Sequence, residues 1–122
     1  MTGVVASHWP LAMHIHSAQA IYELRSSDRL LLFTSISFDA AAEQWMVPLY
    51  SGGGIVLRGQ NDLEIGKIER FVKEKKATVL YLPPAYLTQL TDALGHKGYL
   101  YEFASSEVKP GVMKGMRGFR KY

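Results

Sequence analysis

Apolar residues recur along this chain in two alternating rhythms. Leu11, Ile15, Ala18 and Tyr22 are spaced four, three and four apart behind Ser7, a good N-cap, so residues 8–24 are predicted to form a helix with one apolar stripe. Ser26-Ser27-Asp28 breaks it. Leu30-Leu31-Leu32-Phe33 then runs apolar without alternation, as does a strand covered on both faces in the middle of a parallel sheet. A turn at Ser37 to Asp39 leads into a second predicted helix, Asp39 to Tyr50, with Ala41, Trp45 and Leu49, beside Ala42 and Met46, on its buried side. Pro48 is expected to kink or shorten it. The run Gly52-Gly53-Gly54 supplies a helix stop and a sharp turn, and Ile55-Val56-Leu57 reads as a short strand.

The second half repeats the alternation. Asn61 or Asp62 is placed to cap a third helix with Ile65, Ile68, Phe71 and Val72 inside and Lys67, Arg70, Lys73 and Glu74 toward water. Residues 77–82 are β-branched and apolar and are predicted to form a buried strand that ends at Pro83-Pro84. Proline is tolerated in the first turn of a following helix, whose stripe is Tyr86, Leu87, Leu90 and Leu94, stopping near Gly95. Tyr99 to Phe103 is a candidate fourth strand. Strands alternating with helices predict an α/β fold: three layers, a mostly parallel sheet with helices on both faces, built from βαβ units.

The totals narrow the picture. A chain of 122 residues, 48% of them apolar, can bury one core. There is no apolar run long enough to span a membrane and no signal-peptide pattern, so the expectation is a cytoplasmic protein with no membrane partner. Absence of cysteine excludes disulfides, thiolate metal sites and cysteine nucleophiles. The net charge of +3 is uneven: residues 109–122 hold Lys109, Lys114, Arg117, Arg120 and Lys121 and no acid, leaving the remainder net negative. Residues 105–122 therefore read as a basic, irregular tail. Such a tail is more often solvated than bound to nucleic acid; polyanion binding through it would weaken steeply with salt.

Few residues carry chemistry by pattern alone. Asp39 lies where a strand end and a helix N-terminus converge, the usual place for a ligand in an α/β protein. Its carboxylate serves either as partner to a ligand cation or as a helix cap, and Glu43, one turn on, faces either the same crevice or water. His8, His14, His16 and His96 do not form a metal set, since His14 and His16 lack the spacing of three or four that a helical ligand pair needs. The glycine run lacks the lysine and hydroxyl of a phosphate loop and follows a helix instead of preceding one, so it reads as a turn.

Three stretches together, Gly3-Val4-Val5-Ala6-Ser7-His8, FTSISFDAAAEQWMVPLYSGG and ATVLYLPPAYL, resemble the adenylation domain of nonribosomal peptide synthetases, in the adenylate-forming superfamily. The likeness covers about residues 3–98, and residues 1–104 are read as part of that domain's N-terminal subdomain. It implies activation of an amino acid with ATP and Mg to an aminoacyl adenylate, and then loading onto a carrier protein. It also implies that Phe38 and Asp39 match the aromatic-Asp pair whose Asp holds the substrate's α-ammonium group, and that Ala40, Glu43 and Tyr81 line the side-chain pocket. An acidic Glu43 beside a small Ala40 then suits a basic amino acid such as ornithine, lysine or diaminobutyrate.

The glycine-rich phosphate loop, the Tyr-Gly-Pro-Thr-Glu type nucleotide motif, the ribose-binding Asp and the catalytic Lys of the family are not found in this sequence. The expectation is a truncated or frameshifted piece, inactive alone. The alternative is a noncatalytic module that forms a homodimer or binds another partner through surfaces the rest of a domain would cover.

Overall fold

The computed structural model describes residues 3–94, arranged as α1 (His8–Tyr22), β1 (Arg29–Leu31), α2 (Asp39–Tyr50), β2 (Gly54–Val56), a 3-10 turn (Asn61–Leu63), α3 (Ile68–Lys75) and α4 (Pro84–Leu94). The expected strand at Tyr99 to Phe103, His96 and the basic tail lie outside the described residues.

Strand β1 is the centre. On one side β2 pairs with it in parallel, Leu30 opposite Ile55. On the other, residues 77–82 run alongside, with a parallel bridge between Leu30 and Val79. Thr78 N–H and Val79 N–H donate to the Arg29 carbonyl at 2.9 and 3.2 Å, and Leu31 N–H donates to the Val79 carbonyl at 3.0 Å. The continuous apolar run is explained by this position: Leu30 and Leu31 are buried because both edges of β1 are paired and helix α2 packs on it. The parallel α/β reading holds, and two strands with one bridged segment are too small a sheet to divide the helices into layers. Residues 77–82 bury Ala77, Val79, Leu80 and Leu82 as expected of a strand, but they pair with β1 at only one bridge before Pro83.

Helix α1 uses the expected stripe, with Ala18 buried and Leu11, Ile15 and Tyr22 half-buried. It ends at Tyr22, two residues early, because Glu23 turns left-handed (φ 53°) with its N–H on the Gln19 carbonyl. Helix α2 has the expected limits, but its buried side is Ala41, Gln44, Val47 and Pro48, whereas Leu49 is half exposed. The sequence stripe is rotated from the real one because Gln44, a polar residue, occupies a core position. Pro48 neither shortens nor ends the helix; it is buried, and its carbonyl accepts the Gly53 N–H at 2.9 Å.

The third helix is shorter than expected. Glu64 is extended (ψ 135°) after the 3-10 turn, so α3 begins only at Ile68, and neither Asn61 nor Asp62 caps it. Asp62 instead accepts the Gly59 N–H at 2.6 Å. Ile68, Phe71 and Val72 are buried in the common core with Leu31, Val47 and Leu80. Helix α4 starts at Pro84, the position where a missing amide costs nothing. No helix among the described residues is long and apolar enough to cross a membrane.

Candidate functional site

The turn between β1 and α2 places the acid. Phe38 N–H donates to the Ser35 carbonyl at 3.0 Å, and Phe38 stands in extended conformation at the N-cap position, so Asp39 is the first helical residue and not the cap. Its Oδ1 accepts the Ala40 N–H at 2.8 Å, and the carboxylate is exposed at the positive end of α2.

Two shallow depressions flank this first turn. One, of about 430 Å³, is lined by Thr34, Phe38, Asp39, Ala40, Tyr81, Leu82, Pro83 and Pro84. The other, of about 570 Å³, is lined by Val4, Ala6, Leu11, His14, Asp39, Ala40, Ala42 and Glu43. The structure thus brings Phe38, Asp39, Ala40 and Tyr81 together on one side of the turn, and Asp39, Ala40 and Glu43 on the other. Tyr81 and Glu43 meet beneath, around a small apolar void they share with Tyr22, Leu30 and Gln44.

Glu43 is not a free carboxylate. The Tyr22 hydroxyl donates to its Oε1, and His14 Nε2 lies 3.6 Å from its Oε2. Burial first, and then the bond to Glu43, push the Tyr22 hydroxyl well above the ordinary tyrosine range. His16 is hydrogen-bonded to the Tyr50 hydroxyl at 3.1 Å, and no group of three metal-ligating side chains forms among the described residues. Gly52-Gly53-Gly54 follows the C-terminal end of α2, where carbonyls and not amides are available to a ligand, so it does not suit a phosphate. Among the described residues, then, the glycine run offers no phosphate cradle and no three-ligand group offers a metal site.

Sequence reasoning missed Gln44. Only 2% exposed, its Oε1 accepts the N–H groups of Phe33 (3.0 Å) and Thr34 (2.9 Å), while its Nε2 donates to Thr34 Oγ1 (3.0 Å) and the Tyr81 carbonyl (3.4 Å). Its spacing of three from both Ala41 and Val47 was the available signal. Thr34 was given no role by sequence and Pro83-Pro84 was read only as a strand end and helix start, yet all three line the groove with Asp39. Asp28, read as a helix breaker, is buried and accepts from Arg25 N–H (2.8 Å) and the Thr78 hydroxyl (3.0 Å), anchoring the far end of β1.

Comparison with known proteins gives the site a context. The model of a family described as AMP-binding enzyme matches residues 2–117. Tyrocidine synthase 1 of Brevibacillus parabrevis is 32% identical over 90 residues, which is 73% of this chain and 8% of that protein. Nonribosomal peptide synthetase 32 of Fusarium pseudograminearum is 32% identical over 88 residues, 72% of this chain and 1% of that protein. Tyrocidine synthase 3, also from Brevibacillus parabrevis, is 30% identical over 86 residues, 70% of this chain and again 1% of the relative. The chain thus spans a small part of the length of these relatives.

Proposed function

The chain belongs to the AMP-binding enzyme family and corresponds to part of a nonribosomal peptide synthetase adenylation domain, and from that premise we propose that it forms one wall of an amino-acid pocket. The parent domain would activate the amino acid with ATP and Mg and pass it to a carrier protein. This wall belongs to the N-terminal subdomain of such a domain, and catalysis needs groups beyond it to position the nucleotide.

The observation that carries the reading is the exposed Asp39 carboxylate at the start of α2, facing Tyr81 and Pro83 across a groove. Asp39 pairs with the α-ammonium group, Ala40 leaves space for the side chain, and Phe38 and Tyr81 supply apolar walls. Glu43, across Ala40 in the neighbouring depression and engaged by Tyr22 and His14, favours a side chain ending in a cation only where the ligand reaches over Ala40. The test is a magnetic-resonance titration of the 122-residue chain with L-ornithine and with its Nα-acetyl derivative. Free ornithine should move the amide signals of residues 38–43 and 81, and the acetylated form should not. Asp39→Asn should weaken binding about two- to fivefold, the scale of an exposed ion pair. Equal binding of the two ligands, or an unaffected Asp39→Asn variant, would overturn the reading. Preference for an apolar amino acid in pyrophosphate exchange by a complete protein with these pocket residues would remove the role given to Glu43 alone.

A second reading, a noncatalytic association module, draws support from exposed apolar side chains. Val4, Val5, Trp9, Ile36 and Leu57 are all well over half exposed, Trp9 at 74%. Groups of this kind promote self-association or partner binding. A sedimentation profile independent of concentration counts against it.

A further inference from the structure

We propose that Gln44 is a positioning residue for the groove: its buried amide ties the segment that follows β1, at Phe33 and Thr34, to the carbonyl of Tyr81, and so fixes the two walls between which a ligand of Asp39 must fit. The assignment rests on the reading of that groove as an amino-acid pocket. Thr34 and Tyr81 both line the groove, on separate chain segments, and Gln44 joins them from below through α2, the helix that presents Asp39 and Ala40 on its first turn.

The chemistry permits only one orientation. Two backbone N–H groups, from Phe33 and Thr34, face Oε1, and a carbonyl, that of Tyr81, faces Nε2. Turning the amide over would set donors against donors and an acceptor against an acceptor. An unmade bond to a buried polar group is costly, so the three segments hold one mutual spacing while the amide remains in place. Glutamine is not needed merely to fill the volume, since a Met side chain of similar length would do that. It is needed where one side must accept and the other must donate. Strand pairing cannot replace the tie, because β1 ends at Leu31 and the bridge to the 77–82 segment is at Val79, both short of the groove.

The experiment is carbon-13 and nitrogen-15 magnetic resonance on the whole chain with Gln44→Glu and Gln44→Met variants. Gln44→Glu keeps the acceptor for Phe33 and Thr34 but has no proton for Tyr81 when ionised. Burial raises the titration of the introduced carboxyl above that of exposed carboxylates, and protonation restores a donor. The Tyr81 carbonyl signal should therefore be displaced at pH 8 and return toward the wild-type position as the pH falls to about 5. Gln44→Met should displace it at every pH.

On folded Gln44→Glu protein, judged by a dispersed amide spectrum, affinity for L-ornithine relative to wild type at the same pH should fall about two- to tenfold at pH 8, the fold-change of one hydrogen bond, and recover with the same pH profile. In the unmutated chain, the Gln44 side-chain amide protons should exchange more slowly than those of the exposed Gln60 and Gln89, a readout independent of how the variants fold. A Tyr81 signal indifferent to the substitution, exchange as fast as at Gln60, or an unchanged relative affinity beside a displaced Tyr81 signal would each overturn the positioning role. If wild type binds no amino acid, the pocket reading fails, and the Tyr81 signal and exchange rate still decide whether Gln44 ties the walls.

Discussion

Gly52 and Gly53 stand side by side after α2 for different reasons. Gly52 has φ 76°, a left-handed conformation that a side chain would strain. Gly53 has no positive φ; a Cβ there would come within 2.8 Å of the Asp28 carbonyl and 3.0 Å of the Arg25 carbonyl. Because both obstacles are backbone, Gly53→Ala should cost about 1–3 kcal/mol, as overpacking does, read as a lower urea midpoint with an unchanged slope. A second prediction concerns Tyr86, whose hydroxyl donates to the Leu63 carbonyl at 2.8 Å and whose ring lies edge-on to Phe33. Burial pushes its hydroxyl up to about 12 against the pull of Arg58. The folded value lies above the usual 10, so the unfolded chain gives up its proton first as pH rises. Stability from this group is complete below pH 10 and should be lost between pH 10 and 12, and a Tyr86→Phe variant should lack that component of the decline.

At the scale of elements, Leu31 is fully buried in the strand flanked on both sides, and Leu31→Ala should cost about 2–5 kcal/mol, measured by denaturant unfolding. That strand was legible because a continuous apolar run has one physical meaning when helices surround it. The limits of α2 were legible too, and with them the place of Asp39. Its buried face was not, since a periodicity scan counts Gln44 as polar and so rotates the stripe toward Trp45 and Leu49. The meeting of Tyr81 with Asp39 could be inferred only from a family likeness, because nothing local in residues 77–84 indicates which helix they face. The break between the 3-10 turn and α3 was hidden for a related reason: Ile65 fits the helical spacing, while the extended Glu64 interrupts the helix that spacing implies.

For the whole molecule, the function proposed above assigns the groove of one carboxylate and two apolar walls to amino-acid binding and assigns no turnover to the chain alone. The purified chain is expected to show no amino-acid-dependent exchange of pyrophosphate into ATP above an Asp39→Ala control, and a clear signal would reverse that view. Exposed Trp9, Val4 and Val5 lead to the further expectation of concentration-dependent association in sedimentation, relieved by Trp9→Ser. The placement of β1 between β2 and Val79 also bears on how the chain reaches this state. Leu30 meets Ile55 on one edge and Val79 on the other, partners remote in sequence that arrive from the same later direction. Each parallel pairing must close a long loop before any contact repays the lost entropy, so collapse should be slow relative to formation of α1 or α2. A ribosome delivering this chain from its N-terminus would expose the apolar strand Leu30-Leu31 until residue 79 emerged, a window in which a chaperone and an aggregate compete for the same edge.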